Sequence, residues 1–195
     1  MEGFATTTAR FLLPASAFLT AIAGAAEKFS FERPLMGTKF SVVCYAESRE
    51  AVEKAADAAF SKAGEVNAKA SDYLPESELS LLSSKPVGEP VPLSPLLFGL
   101  LEHSRRIAEA TDGAFDPTLG PLTKLWRETR TDRSLPDPER LKSTRASAGW
   151  RHFTLDPEAR TITLLRENMA FDLGGIAVVI ALGVGVEAIS VHPEE

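Results

Sequence analysis

Three short polar stretches of this 195-residue chain carry side chains able to do chemistry, and each is shaped by glycine or proline. Asp72-Tyr73-Leu74-Pro75-Glu76-Ser77-Glu78-Leu79 sets a tyrosine in a loop ahead of a helix cap, where its ring can stack on an aromatic ligand or pack against the protein. Gly113-Ala114-Phe115-Asp116-Pro117-Thr118-Leu119-Gly120-Pro121 follows a helix end, and read locally it is a C-cap glycine, a core phenylalanine and an Asp-Pro turn. Asp172-Leu173-Gly174-Gly175-Ile176-Ala177 puts a carboxylate beside two glycines that let backbone approach a ligand closely, a weak signature of phosphate or metal binding. Other chemistries are excluded. The sequence holds no G-x-S-x-G elbow, no phosphate-binding G-x-x-x-x-G-K-[ST] loop and no H-E-x-x-H, and its histidines, His103, His152 and His192, are scattered. A single cysteine, Cys44, rules out an intramolecular disulfide and a Cys-cluster metal site.

These turns need elements to hold them. Phe29 to Ala46 alternates at period two around Pro-Leu-Met-Gly, which predicts a strand, a bend at Met36-Gly37 and a second strand from Thr38 to Tyr45. Ser48 caps a predicted helix whose apolar positions, from Val52 through Ala70, recur at helical spacing and are mostly alanine, so it can lie close against a neighbour. Ser77 caps a short helix through Leu82, Pro86 to Pro92 reads as a loop, and Ser94-Pro95 opens a helix that ends at Gly113. Glu139 to Ala146 forms a short helix, and Arg151 to Leu155 with Thr161 to Leu165 forms a hairpin. Leu173 to Val186, uncharged and rich in β-branched residues, reads as a buried strand. Helices and strands follow no regular βαβ rhythm, so the layout is α+β. Composition agrees with a globular protein, at 44% hydrophobic and 25% charged, and a net charge of −6 with no basic block gives nucleic acid nothing to grip.

The first 25 residues stand apart. Phe11 to Ala25 is apolar or small throughout and ends in Ala23-Gly24-Ala25, which predicts a secretory signal cleaved after Ala25 and an exported domain.

Taken in order, Met36-Gly37-Thr38, then Ser71-x-Tyr73-x-Pro75-x-Ser77-Glu78-Leu79, then Thr111-x-Gly113-Ala114-Phe115-Asp116-Pro117-Thr118-x-Gly120-Pro121-Leu122 with Leu125-Trp126, then Asp172 to Ala177, resemble the FAD:protein FMN transferase (ApbE) family over Phe31 to Ala177. The resemblance implies an α+β fold with antiparallel sheets flanked by helices, T-fold-like and incomplete at the C-terminus. It implies Mg2+-dependent transfer of FMN from FAD to a threonine of an acceptor flavoprotein subunit, with release of AMP, in the periplasm or on the outer side of the inner membrane. Carried over residue by residue, Met36, Tyr73, Ala114, Phe115, Asp116 and Asp172 line the FAD site, and Gly175 offers a main-chain carbonyl to Mg2+. The family's lysine position is held by Val178, the family's pattern stops at Ala177, and its catalytic residues and side-chain metal ligands fall beyond it. Residues 178–195 are therefore expected to be a divergent tail, as a frameshift would produce. The rival expectations are a flavin-binding module without transfer, or a non-functional fragment. A further expectation follows from a missing C-terminal part: Phe153, Leu155, Ile162 and Leu164 would expose an apolar face.

Overall fold

A computed structural model describes residues 26–190, so the expected cleavage after Ala25 lies outside the described residues. The chain opens with an antiparallel hairpin of β1 (Glu27–Leu35) and β2 (Thr38–Ala46), closed by Met36 and Gly37 between the paired residues Leu35 and Thr38. Both loop residues have positive φ, 52° and 71°, as a type I′ turn requires. Phe31, Leu35, Phe40 and Val42 pack on one face of the hairpin against the core, while Val43 and Tyr45 remain exposed.

Helix α1 (Arg49–Ala70) buries Val52, Ala56, Ala59, Phe60, Ala63, Val66 and Ala70, the alanine-rich face expected from its spacing. Its N-cap is Ser48, although the serine side chain makes no capping hydrogen bond. Across that face lies α6 (Gly174–Ser190). The expectation of a buried strand here is overturned. Ala177, Ala181 and Gly185 recur every four residues and are buried, which is a helical period, and a Cβ added at Gly185 would lie 3.5 Å from the Ala59 carbonyl oxygen and 3.6 Å from its Cβ. Tertiary packing of small residues outweighs the strand preference of the valines between them. Among the described residues no helix is long and apolar enough to cross a membrane.

Between these helices run α2 (Glu78–Leu82), β3 (Pro90–Pro92), α3 (Pro95–Ala110), α4 (Gly120–Asp132), α5 (Pro138–Ser147), β4 (Phe153–Asp156) and β5 (Thr161–Leu164). The second sheet has the order β3-β5-β4, all antiparallel. Its edge strand β3 replaces part of the expected Pro86 to Pro92 loop, and its two prolines are tolerated because an edge strand pairs on one side only. The expected apolar exposure of the hairpin is also overturned. Phe153, Ile162 and Leu164 are fully buried in one cluster with Leu97, Leu101 and Phe171, and Leu155 is half-buried against it. Phe153 meets Phe171 edge to face at 5.3 Å.

Glu78 fastens three helices at one point. Its carboxylate accepts the backbone N–H and the hydroxyl of Ser94, both at 2.6 Å, and lies 3.2 Å from Lys69. Ser94 in turn accepts the N–H of Leu97 and caps α3. Burial pushes the Glu78 carboxyl up, but the two bonds from Ser94 and the Lys69 ammonium outweigh it and hold the group below its ordinary 4.5. A lowered folded value means stability that is present above about pH 4.5 and is lost as pH falls through the folded value. Glu78→Gln is expected to cost about 1 kcal/mol at pH 7, the group being partly screened by solvent. The gap from the unsubstituted chain should close as denaturation is followed from pH 5 downward. A gap that stays constant to pH 3 would contradict the assignment.

Candidate functional site

Each of the three polar stretches folds around a hydrogen-bonded kernel. In the first, the Ser71 carbonyl accepts the hydroxyls of Ser77 at 2.6 Å and Ser80 at 3.2 Å, while the Ser71 hydroxyl accepts the N–H of Tyr73 at 3.2 Å. This closes the turn between α1 and α2 and leaves Tyr73 71% exposed. In the second, Asp116 accepts the N–H and hydroxyl of Thr118 through one oxygen, at 2.8 and 2.6 Å, and the N–H of Trp150 through the other, at 3.0 Å. The buried Thr118 hydroxyl also accepts the N–H of Gly149 at 2.7 Å, so the motif is tied to the approach to β4. In the third, one Asp172 oxygen accepts the N–H of Gly174 at 3.0 Å and starts α6. The Asp172 N–H donates to the Pro117 carbonyl at 2.9 Å, which joins the third stretch to the second.

The first and third stretches meet through a residue that the sequence reading did not single out. Arg127, on α4, places its guanidinium 2.6 Å from Asp72 and 3.3 Å from Asp172, and its carbon lies 4.0 Å from the centroid of the Tyr73 ring. Burial works against the guanidinium charge, but the hydrogen bond and charge of Asp72, with Tyr73 and Asp172 adding to them, more than offset it and push the Arg127 pKa up. It stays charged at any pH at which the protein is folded.

Tyr73 and Asp72 divide two clefts. One, of about 470 Å³, is walled by Met36, Gly37, Asn67, Gly174 and Val178. The other, of about 460 Å³, is walled by Ser80, Ser83, Lys124 and Arg127. The first mixes apolar residues with glycines and a few polar groups, and the second carries two cationic side chains. Met36 holds a left-handed backbone at the mouth of the first cleft, an uncommon state for a long side chain and one that concentrates at binding sites.

Of the residues assigned by resemblance, Met36 and Tyr73 line this cleft together, and Asp172 stands behind it between Arg127 and Gly174. Ala114, Phe115 and Asp116 are not among its walls, and the Asp116 carboxylate bonds within the loop it organises. Val178, at the position where the resembling family has lysine, is a wall residue, so the departure falls on the cleft itself. Gly175 is the second residue of α6, where helical geometry turns a carbonyl toward the next turn. Among the described residues no group of three His, Cys, Asp or Glu could hold a metal ion, and both Asp172 oxygens are engaged.

Comparison with known proteins places these features in a wider set. The model of the ApbE family matches residues 36–190. The matched stretch runs past Ala177 and takes in the whole of α6. A FAD:protein FMN transferase of Vibrio cholerae is 31% identical over 185 residues, covering 91% of this chain and 53% of that protein. One of Chlamydia muridarum is 36% identical over 104 residues, covering 53% of this chain and 33% of that protein. The crystal structure of the ApbE protein of Thermotoga maritima superposes with a TM-score of 0.74 at 23% identity, over 84% of this chain and 52% of that one. The flavinyl transferase ApbE of Pseudomonas stutzeri, in its apo form, gives 0.74 at 23% over 86% and 53%. The chain thus spans about half the length, or less, of the relatives it matches.

Proposed function

The chain belongs to the ApbE family, and from that premise we propose that it binds FAD in the Met36, Tyr73 and Gly174 cleft as the flavin side of an FMN-transferring enzyme. The observation that carries this reading is the exposed Tyr73, backed by Arg127 and lining a cleft of about 470 Å³ together with Met36 and Gly174. The reaction is transfer of FMN from FAD to a threonine hydroxyl of an acceptor protein, with AMP leaving. Mg2+ dependence is part of the proposal through the family resemblance, and the ion supplies charge stabilisation at the phosphoryl oxygens when bound. Gly175 contributes at most one carbonyl, so the other protein ligands are sought outside residues 26–190. Phosphoryl transfer lacking positioned charge stabilisation typically loses on the order of a hundredfold or more in rate. The chain by itself is therefore proposed to bind flavin weakly and to transfer FMN negligibly. An exported location belongs to the same proposal and rests on the apolar run Phe11 to Ala25 with its Ala23-Gly24-Ala25 end.

The test incubates the full chain with FAD, Mg2+ and a threonine-bearing acceptor, with the Vibrio cholerae relative as the positive control. Equilibrium dialysis is expected to show saturable FAD uptake by the chain, and gel fluorescence no flavin on the acceptor above background. Labelling at the rate of the relative would contradict the assignment of negligible transfer, and absence of uptake would contradict the flavin site. Mass analysis of the secreted protein, expected to begin at Ala26, checks the export part.

A further inference from the structure

We propose that Arg127 is a positioning residue for the flavin site: its guanidinium, held by Asp72 and Asp172, stacks behind Tyr73 and fixes the ring as a platform whose opposite face meets the ligand. The inference rests on the flavin reading of the cleft and adds a residue to it.

Two chain segments that are far apart in sequence converge on this one side chain. Asp72 is 55 residues and Asp172 is 45 residues from Arg127, and the two carboxylates stand in the loop after α1 and ahead of α6. The Asp72 and Asp172 side chains are only 14% and 20% exposed and that of Arg127 is 35% exposed, whereas Tyr73 is 71% exposed. A ring so exposed has little packing to hold it, and the flat guanidinium at 4.0 Å is the group that restrains it. The second cleft includes both Tyr73 and Arg127, and the first includes Tyr73 without Arg127, so the arginine covers one side of the ring and leaves the other to the first cleft. Only a planar fork does all three tasks, since one nitrogen binds each aspartate while the π face lies on the ring. A lysine keeps the charge but can neither bridge both carboxylates in one plane nor stack.

The experiment uses Arg127→Lys, with Arg127→Met beside it, in the full chain. The protein has two tyrosines, Tyr45 and Tyr73, so tyrosine-specific isotope labelling gives two ring signals that Tyr45→Phe assigns. In Arg127→Lys the Tyr73 ring is expected to gain mobility and shift, with the Tyr45 signal unmoved and the melting temperature within a few degrees of the unsubstituted chain. FAD affinity is expected to fall about fivefold to tenfold in Arg127→Lys, and further in Arg127→Met. An unchanged Tyr73 signal in Arg127→Lys overturns the positioning role whether or not flavin binds. FAD bound by Arg127→Lys as tightly as by the unsubstituted chain overturns it also. No FAD binding by the unsubstituted chain, with Tyr73 mobilised in the variant, overturns the flavin reading and with it the ligand half of this inference, while the ring restraint stands.

Discussion

Gly120→Ala is expected to destabilise the chain by about 3 kcal/mol, the upper part of the range for forcing an added carbon into a packed site. A Cβ built at Gly120 meets the carbonyl carbon and oxygen of Ala170 at 2.8 Å and the nitrogen of Phe171 at 2.9 Å. These are backbone atoms and cannot swing aside. Helix α4 must therefore lift away from the 170–171 segment, and that segment leads directly into Asp172, one of the two carboxylates that hold Arg127. At about 2 to 4 °C per kcal/mol for a chain of this size, the melting temperature should fall by about 6 to 12 °C. Gly64→Ala is the control. Nothing lies within 4 Å of its added carbon, and within a helix alanine is favoured over glycine by up to about 1 kcal/mol, so that variant should be as stable as the unsubstituted chain or more so. Equal melting temperatures for Gly120→Ala and the unsubstituted chain would contradict the close packing of α4 on this segment.

Tyr73→Ala carries the largest expected effect on binding and little on stability. The ring is mostly exposed, so its removal opens no cavity in the core. Stacking of a planar ring on an exposed aromatic is worth about 1 to 3 kcal/mol, which is a loss of about 5-fold to 150-fold in affinity for FAD. Equilibrium dialysis with Tyr73→Ala is the check. Retained affinity would mean that the ligand does not stack on this ring.

The contrast between these two sites follows from what a sequence exposes to view. Helix α1 is legible because alanines at i, i+3, i+4 and i+7 leave one interpretation, and the hairpin turn because Met36-Gly37 interrupts two alternating runs. Ser94-Pro95 marks the start of α3 for a local reason too, a capping hydroxyl followed by a preset φ. Helix α4 carries only half of that mark, since Pro121 stands in its first turn but Leu119 at the N-cap offers no capping group, and Gly120–Asp132 buries little apolar surface beyond Leu125 and is polar over its second half. Helix α6 misleads, because its valines speak for a strand while the evidence for a helix is the packing of Ala177, Ala181 and Gly185. The candidate site divides in the same way. Its glycine- and proline-shaped turns are visible as local patterns, and Tyr73 and Asp172 can be picked out from them. Arg127 cannot, because its two carboxylates are 55 and 45 residues away and no spacing rule connects them. Nor does spacing reveal that the Asp116 carboxylate is engaged by Thr118 and Trp150 within its own loop.

The central claim is that the Tyr73 cleft receives the flavin ring, and the most direct measurement is a difference absorption spectrum of flavin titrated with the full chain. Riboflavin, which has the ring and no phosphate, should show a saturable perturbation of its visible band that FAD also shows, and AMP should not reverse it. In Tyr73→Ala the perturbation should be lost or reduced at the same protein concentration. A flat spectrum with both flavins, or a perturbation that AMP abolishes and Tyr73→Ala leaves intact, would contradict the claim.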